Sequence, residues 1–171
     1  MIVWINGPFG VGKSSVAQAL TEHLRSAILI DPEEFGYLLW KWVPGGRASG
    51  DFQHLATWRR VVTEAVRSLS LEFAGPLVVP MTLLEPRYFD EIIGGLTRQG
   101  IGVNHFCLTA PREVVIERAR ERSGQADQPW AESMYDRYVG SLSDSRFDML
   151  IDTSNRPIAA VAEQILGTLS Y

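Results

Sequence analysis

Residues 7–14 constrain this chain more than any other part of its sequence. Their letters, GPFGVGKS, satisfy the pattern G-x-x-x-x-G-K-[ST] at every fixed position. A short β-branched apolar run, residues 2–5, precedes them, and residues 13–25 follow with apolar side chains on one helical face. A strand, a glycine-rich turn and a helix in this order form a phosphate-binding loop. The sequence therefore predicts a P-loop that binds a nucleoside triphosphate.

Each residue type in this loop has a chemical reason. Glycines let the backbone curl so that successive N–H groups face an anion, and the start of the helix adds partial positive charge. Lys13 supplies a mobile charge for the β- and γ-phosphates, which makes it a catalytic candidate, and the Ser14 hydroxyl can ligate Mg²⁺. We therefore expect ATP and Mg²⁺ as cofactors. The predicted nucleotide-binding residues are Gly7, Pro8, Phe9, Gly10, Val11, Gly12, Lys13, Ser14 and Ser15.

Apolar runs and amphipathic segments alternate along the rest of the chain. The predicted strands cover residues 2–5, 27–30, 77–81, 103–108 and 149–151. The predicted helices cover residues 13–25, 33–42, 54–73, 86–99, 111–122 and 130–142, and a last helix begins at Pro157. A strand, a helix and a strand within about thirty residues require a parallel sheet. Because the strands are continuous apolar runs, both sheet faces are covered, which predicts a three-layer α/β sandwich in one domain, residues 1–171.

Composition excludes several other classes of protein. Lys and Arg total 16 against 20 Asp and Glu, a net charge of −4, so we expect no nucleic-acid partner. The single cysteine, Cys107, excludes a disulfide framework, and the histidines show no metal-ligand spacing. No apolar stretch approaches the roughly 18 residues of a membrane span, and the start of the chain does not read as a signal peptide. These features predict a cytoplasmic protein.

An acidic residue follows the second predicted strand. A GTPase or ATPase normally has an acid at the end of a later apolar strand, but residues 77–82 end in Met81 and Thr82 without one. Asp31 instead stands at the carboxyl end of its strand, where open parallel sheets bind their ligands. It could ligate Mg²⁺ or accept the proton of an attacking hydroxyl, which makes it a candidate metal and catalytic residue. The alternative is a helix N-cap.

A second group of charged residues lies late in the chain. Arg118 and Arg122 are four residues apart and share a helical face, and a break at residues 123–124 follows, as a closing lid needs. One interpretation makes both arginines catalytic, stabilising a transferring phosphoryl group from a lid over residues 111–142. The other is a solvated helix face with local Glu–Arg pairs.

Aromatic residues cluster before a glycine-rich loop at residues 44–51. Core packing explains any single one of them, but as a group beside the acid some could line an acceptor pocket within residues 33–75. Arg59 and Arg60 begin the exposed side of the long helix, and one of them could reach the cleft. The predicted substrate-binding residues are Phe35, Trp40, Arg59, Met81 and Thr82.

Taken together, the chain resembles the tunicamycin resistance proteins, small P-loop proteins similar in fold to nucleoside monophosphate and shikimate kinases. The resemblance covers nearly the whole chain. It rests on MIVWING at residues 1–7, Phe9-Gly10, Gly12-Lys13, Asp31-Pro32-Glu33, Val43-Pro44, Asp51-Phe52-Gln53, Trp58-Arg59, Val79-Pro80-Met81-Thr82, Tyr88-Phe89, Glu91-Ile92-Ile93-Gly94, His105-Phe106 and the later arginine-rich helix.

The resemblance implies a parallel sheet of order 2-3-1-4-5, a lid within residues 118–130, and binding of ATP and of tunicamycin, a uridine-containing antibiotic. Kinship with kinases implies phosphorylation of the drug. Two alternatives stay open, namely sequestration of the drug without turnover and phosphorylation of another small metabolite. Family members carry a basic amphipathic tail that this sequence lacks, which leaves membrane association doubtful. The oligomeric state is not predicted.

Overall fold

Five parallel strands form the central layer of the protein. The structure, a computed structural model, describes residues 1–44, 50–123, 128–147 and 149–169, without the side chains of residues 122, 123, 128, 130 and 131. The strands are β1 (Ile2–Asn6), β2 (Ile28–Leu29), β3 (Leu77–Pro80), β4 (Val103–Thr109) and β5 (Leu150–Asp152). Their order in the sheet is β2-β3-β1-β4-β5, which confirms the order that the family resemblance implies.

Helices cover both faces of this sheet. They are α1 (Lys13–His23), α2 (Glu33–Trp42), α3 (Ala56–Glu72), α4 (Pro86–Arg98), α5 (Arg112–Ser123), α6 (Gln128–Val139) and α7 (Ile158–Thr168). Val3 and Ile5 of β1 pack with apolar side chains of α1, α5 and α7 on one face. Ile2 and Trp4 pack with α2, α3 and α4 on the other. The period-two alternation of strand side chains thus divides one strand between two cores, and the predicted three-layer α/β sandwich is confirmed.

The centre of the sheet positions the loop that follows it. Ile2 of β1 pairs with Leu77 on one side and with Val103 on the other, and every residue of β1 is buried. The P-loop therefore begins at the middle of the sheet, at the carboxyl ends of the strands. Residues after β2 and β3 reach the same edge, which is where open α/β sheets bind ligands.

The element bounds differ from the sequence prediction at several ends. α1 ends at His23 because Leu24 is extended, and Ser26 has a φ of 58°. α3 begins at Ala56 rather than at residue 54, because residues 52–54 form a separate 3₁₀ turn, in which the backbone N–H of Gln53 donates to the side chain of Asp51.

Parts of the predicted loop and lid fall outside the described residues, namely residues 45–49 and residues 124–127; of the predicted break at residues 123–124, residue 123 is the last of α5 and residue 124 is not described. The division into an acceptor region and a lid region stays a prediction. Within the described ranges, no helix has the length and apolar character needed to cross a membrane.

Candidate nucleotide and acceptor site

The P-loop has a backbone that only glycine tolerates at its first position. Gly7 has a φ of 133°, and a Cβ atom placed there would lie 2.3 Å from the carbonyl oxygen of Leu108. Gly12 has a φ of 96° and stands directly before α1, where no side chain caps the helix. The first N–H groups of α1 therefore stay available to an anion, as the motif predicts.

A buried asparagine fixes the start of this loop. Asn6 is 0% exposed, and its Oδ1 accepts from the backbone N–H groups of Gly7 (2.8 Å) and Leu83 (2.7 Å). Its Nδ2 donates to the carbonyl of Leu83 (2.8 Å) and to Nε2 of His105 (3.0 Å). Thr82 Oγ1 adds a bond to the carbonyl of Gly7 (2.9 Å). Asn6 is not among the site residues predicted from the sequence, although a polar residue at the end of a wholly apolar strand is a usable signal.

A cavity of about 290 Å³, here called the phosphate cavity, lies against the P-loop. It is lined by Phe9, Gly10, Gly12, Lys13, Ser14, Ser15, Asp31, Glu33, Pro80 and Arg118. The structure thus brings the predicted loop residues together with Asp31 and Arg118. The ammonium of Lys13 donates to the carbonyl of Pro8 (2.8 Å), so the lysine head lies within the loop rather than in the core.

Asp31 caps a helix and also lies in the cavity wall. Its Oδ1 accepts from the backbone N–H of Glu33 (2.9 Å), which caps the first turn of α2. The same residue lines the phosphate cavity opposite the P-loop. A capping bond through one carboxylate oxygen is compatible with a second role at a metal or a hydroxyl.

Arg118 lies against the P-loop side of the molecule rather than on a solvated helix face. Its guanidinium donates to the hydroxyl (3.1 Å) and the carbonyl (2.6 Å) of Thr153, just after β5. The hydroxyl of Thr153 in turn donates to the carbonyl of Val11 in the loop (3.0 Å). Arg120 pairs with Glu117 on the surface (3.5 Å), and the side chain of Arg122 lies outside the described residues.

Beside the phosphate cavity lies a second space of about 370 Å³, here called the side cavity. It shares Gly12, Ser15 and Arg118 with the phosphate cavity. Its other walls are mostly apolar and come from Val11, Val16, Thr153, Arg156, Pro157, Ile158 and Val161. A flat apolar group attached to a triphosphate in the phosphate cavity would fit into the side cavity. The planar guanidinium of Arg118 lies at the border between the two cavities.

On the other side lies an aromatic cavity of about 310 Å³. Its walls are Phe9, Lys13, Glu33, Tyr37, Trp40, Gly50, Asp51, Phe52, Gln53, Met81, Thr82, Met134 and Tyr138. The rings of Trp40 and Phe52 are 5.2 Å apart, and those of Tyr37 and Trp40 are 5.8 Å apart. Phe9, Lys13 and Glu33 border both this cavity and the phosphate cavity. A molecule in the aromatic cavity would therefore meet a nucleotide's phosphates across that shared wall.

The predicted substrate residues divide between this cavity and the core. Trp40, Met81 and Thr82 line the aromatic cavity, whereas Phe35 and Arg59 do not. Phe35 packs against the core between the sheet and α2–α4.

The expectation that Arg59 begins an exposed side of α3 is wrong. Its side chain is 5% exposed, because it pairs with Glu91 (2.5 Å), donates to the carbonyl of Gln53 and lies 4.3 Å from the centre of the Tyr88 ring. The hydrogen bond from Arg59 lowers the pKa of Glu91. This arginine therefore borders a separate cavity of about 600 Å³ between α3 and α4, which shares no lining residue with the other three.

Sequence reasoning missed other residues of the aromatic cavity. Glu33 accepts from the hydroxyl of Tyr37 (3.1 Å) at the wall shared with the phosphate cavity. Asp51 accepts from Tyr138 (3.4 Å) and from Arg137 (3.4 Å), both on α6, which ties the lid region to the cavity wall. Burial and then the nearby Asp51 raise the pKa of Tyr138 to about 12, so its hydroxyl stays protonated. Glu33 had a signal in the sequence, since it is a second carboxylate only two residues after Asp31.

A parallel sheet of this order, with a P-loop after its central strand and an acid after β2, defines a P-loop nucleotide-binding protein of the kinase type. Residues 2–141 match the model of a family described as AAA domain. The structure of the Deinococcus radiodurans tunicamycin resistance protein has 40% sequence identity to this chain and a TM-score of 0.83, over 99% of this chain and 96% of that one. The chain therefore belongs to the AAA domain family and to the tunicamycin resistance proteins.

More distant structures show the same fold and no more. A gluconokinase from Sinorhizobium meliloti 1021 is 20% identical, with a TM-score of 0.66 over 96% of this chain and 89% of that one. A shikimate kinase from Bacteroides thetaiotaomicron is 15% identical, with a TM-score of 0.61 over 98% of this chain and 97% of that one. A comparison with curated proteins gave no match.

Proposed function

We propose that this protein confers resistance to tunicamycin by transferring a phosphoryl group from ATP to the drug in the cytoplasm. The observation that carries the proposal is the shared wall between the phosphate and aromatic cavities, which holds the ammonium of Lys13 and the carboxylate of Glu33. A phosphotransferase needs its donor and acceptor side by side, with positive charge for the phosphates and a base for the hydroxyl. The 40% identity to a tunicamycin resistance protein supports the choice of acceptor.

The residues around the P-loop fit ATP. Backbone N–H groups of the loop and the start of α1 would bind the phosphates, and Lys13 would exchange the carbonyl of Pro8 for a phosphate oxygen. The side cavity would hold the base between its apolar wall and Arg118. Arg118, held in place by Thr153, would stabilise negative charge on the transferring group, and we propose the same role for Arg122.

The oxygen donors at the phosphate cavity also fit magnesium. Ser14 and Asp31 line it together, and they supply the hydroxyl and carboxylate oxygens that this cation prefers. The described residues contain no cluster of three His, Cys, Asp or Glu side chains that could hold a metal ion by itself. When bound with the nucleotide, such an ion would offset the phosphate charge.

The two carboxylates after β2, those of Asp31 and Glu33, would have different roles in the reaction. Asp31 borders only the phosphate cavity, so we assign it to the metal, whereas Glu33 borders both cavities and would accept the proton of the drug's hydroxyl. The hydroxyl oxygen forms a bond to the γ-phosphorus, the bond from that phosphorus to the bridging oxygen breaks, and ADP leaves. The alternative is that Asp31 accepts the proton of the hydroxyl, as its position in the sequence predicts.

One experiment tests the reaction directly. The purified protein is incubated with ATP, Mg²⁺ and tunicamycin. The mass of the drug is then measured by mass spectrometry, and the amount of ADP is compared with the amount of protein. We expect drug carrying one added phosphoryl group, ADP in excess of protein, and neither product with Lys13→Ala. Tight drug binding without ADP in excess would instead establish sequestration, and ADP formation only with other small metabolites would reject the drug as substrate.

A further inference from the structure

A histidine of the central sheet contacts the asparagine that fixes the start of the P-loop. His105 lies on β4 beside β1, and its Nε2 is 3.0 Å from Nδ2 of Asn6. A histidine ring nitrogen accepts a hydrogen bond only when it carries no hydrogen. The conformation of the loop therefore involves the protonation of one particular nitrogen.

The two ends of the Asn6 amide are identified by their backbone partners. Backbone N–H groups only donate, and those of Gly7 (2.8 Å) and Leu83 (2.7 Å) contact one end of the amide, which is therefore the oxygen. A backbone carbonyl only accepts, and that of Leu83 (2.8 Å) contacts the other end, which is therefore the nitrogen. One hydrogen of Nδ2 goes to this carbonyl, and the other goes to His105.

This orientation allows the ring of His105 only one form. Because Nε2 receives a hydrogen from Asn6, it carries none of its own, and the ring is neutral with its hydrogen on Nδ1. An imidazolium would place an N–H group against the amide hydrogens of Asn6. The rings of Phe89 and Phe147 have centres 4.9 Å and 6.0 Å from that of His105, which limits its rotation.

The amide of Asn6 in turn holds the first residue of the P-loop. The N–H of Gly7 donates to Oδ1 of Asn6, and its carbonyl accepts from the hydroxyl of Thr82, so both sides of Gly7 are fixed. Asn6 is fully buried, so its second amide hydrogen has His105 as acceptor in place of water. A rotated Asn6 would release Gly7 and change the direction of the N–H groups that follow in the loop.

We propose that His105, as a neutral ring with its hydrogen on Nδ1, is a positioning residue of the nucleotide site. It holds the amide of Asn6, and this amide holds Gly7 in the conformation that binds phosphate. The inference rests on the proposed function only in taking the P-loop as the ATP site. It gives a role in that site to a side chain that lines none of the cavities at the loop.

Nitrogen NMR of the wild-type protein tests the form of the ring. The nitrogen without a hydrogen resonates well downfield of the one that carries it, and the signals of His105 are those that vanish in His105→Gln. We expect Nε2 to be the unprotonated nitrogen at neutral pH. A hydrogen on Nε2, or a charged ring, would overturn the inference.

Two substitutions at the same position test the positioning role. In His105→Gln the amide oxygen takes about the place of Nε2, so an acceptor for Asn6 is kept. His105→Met has a side chain of the same length with no oxygen or nitrogen at its end. Both variants lose the ring and its packing, so they differ mainly in the acceptor. The control is His23→Met, at the exposed end of α1.

Hydrogen exchange of the Gly7 N–H measures whether Asn6 still holds the loop. The N–H of Leu77, which donates to the carbonyl of Met1 (2.9 Å) at the opposite end of the sheet, reports unfolding of the whole domain. A buried donor without its partner costs about 1–3 kcal/mol, which corresponds to a factor of about 5–150. In His105→Met, exchange at Gly7 should therefore accelerate at least fivefold more than exchange at Leu77.

ATP affinity, measured by calorimetry with Mg²⁺ well below the melting temperature, should follow the same pattern. We expect His105→Met to bind ATP at least fivefold more weakly than the wild type, because fewer molecules hold the competent loop. His105→Gln should recover most of the affinity, and His23→Met should retain it.

The outcomes separate this inference from the proposed function. Acceleration confined to Gly7 in His105→Met and reversed in His105→Gln, in a protein that does not bind ATP, would keep the hold on the loop and reject the phosphotransferase. Phosphorylation of tunicamycin with equal ATP affinity in both variants would reject the positioning role alone. A lower melting temperature of His105→Met with equal acceleration at Gly7 and Leu77 would also overturn it, since His105 would then only stabilise the fold.

Discussion

Replacing Gly7 by alanine should damage this protein more than the same change at Gly12, although both glycines belong to the P-loop. Both have positive φ, 133° and 96°, so alanine at either position pays for the left-handed region, about 1–2 kcal/mol. The surroundings differ. The new Cβ of Gly7→Ala would lie 2.3 Å from the carbonyl oxygen of Leu108, whereas that of Gly12→Ala meets no atom within 4 Å.

The overlap at Gly7 sets the size of the difference. Real Cβ atoms keep at least 3.0 Å from such a neighbour, so the loop and β4 must separate by at least 3.0 − 2.3 = 0.7 Å. The neighbour is backbone inside a fully paired sheet and cannot rotate away. Overpacking of this kind costs about 1–3 kcal/mol, which gives a total of about 2–5 kcal/mol for Gly7→Ala against about 1–2 kcal/mol for Gly12→Ala.

Urea denaturation of the two variants and the wild type measures this difference. With a slope of about 2 kcal/mol per molar urea, the midpoint of Gly7→Ala should lie roughly 0.5–1.5 M below that of Gly12→Ala. The slopes should agree, so that the shift reports stability. Equal midpoints would show that the sheet yields to the methyl group and would refute the reasoning from the contact with Leu108.

The remaining predictions concern the carboxylates, the lid arginine and the buried thiol. Glu33→Gln should lower drug phosphorylation at least a hundredfold while ATP affinity stays within a few-fold, and Asp31→Asn should instead raise the Mg²⁺ concentration needed for half-maximal rate; the reverse pattern would exchange their roles. Arg118→Ala should lower turnover at least tenfold with drug affinity nearly unchanged, and wild-type turnover would reduce Arg118 to a structural link with Thr153. Because burial raises the pKa of Cys107 to about 12 from 9.0, the native thiol should resist iodoacetamide at pH 8 and react once urea unfolds the chain. The contribution of this thiol to the free energy of unfolding is therefore fully present below pH 9 and is lost as the pH rises towards about 12, which a series of melting curves would detect.

The parts of the molecule that sequence could predict are those set by local pattern. Continuous apolar runs located the strands, and the P-loop motif fixed the first turn of α1 and the residues around it. The position of Asp31 after a strand was enough to place it at the ligand-binding edge, because parallel strands end together. The order of the strands came from family resemblance, since pairing between distant strands leaves no local signal.

The features that the sequence did not predict have one physical cause, which is contact between residues far apart in the chain. Arg59 is buried with Glu91, 32 residues later on an adjacent helix, as its ion-pair partner. Helical periodicity places Arg59 on the polar side of α3 and cannot show that another helix covers that side.

The bonds of Asn6 also govern when the nucleotide-binding loop can exist during synthesis. Asn6 takes its partners from Leu83 and His105, 77 and 99 residues later, so the loop sequence is synthesised well before the residues that hold it. Strand pairings over such separations form slowly, after the intervening helices have closed the chain. The nascent protein therefore contains the P-loop sequence long before the loop adopts its folded conformation. A bound nucleotide would therefore stabilise only the finished sheet and not an early intermediate.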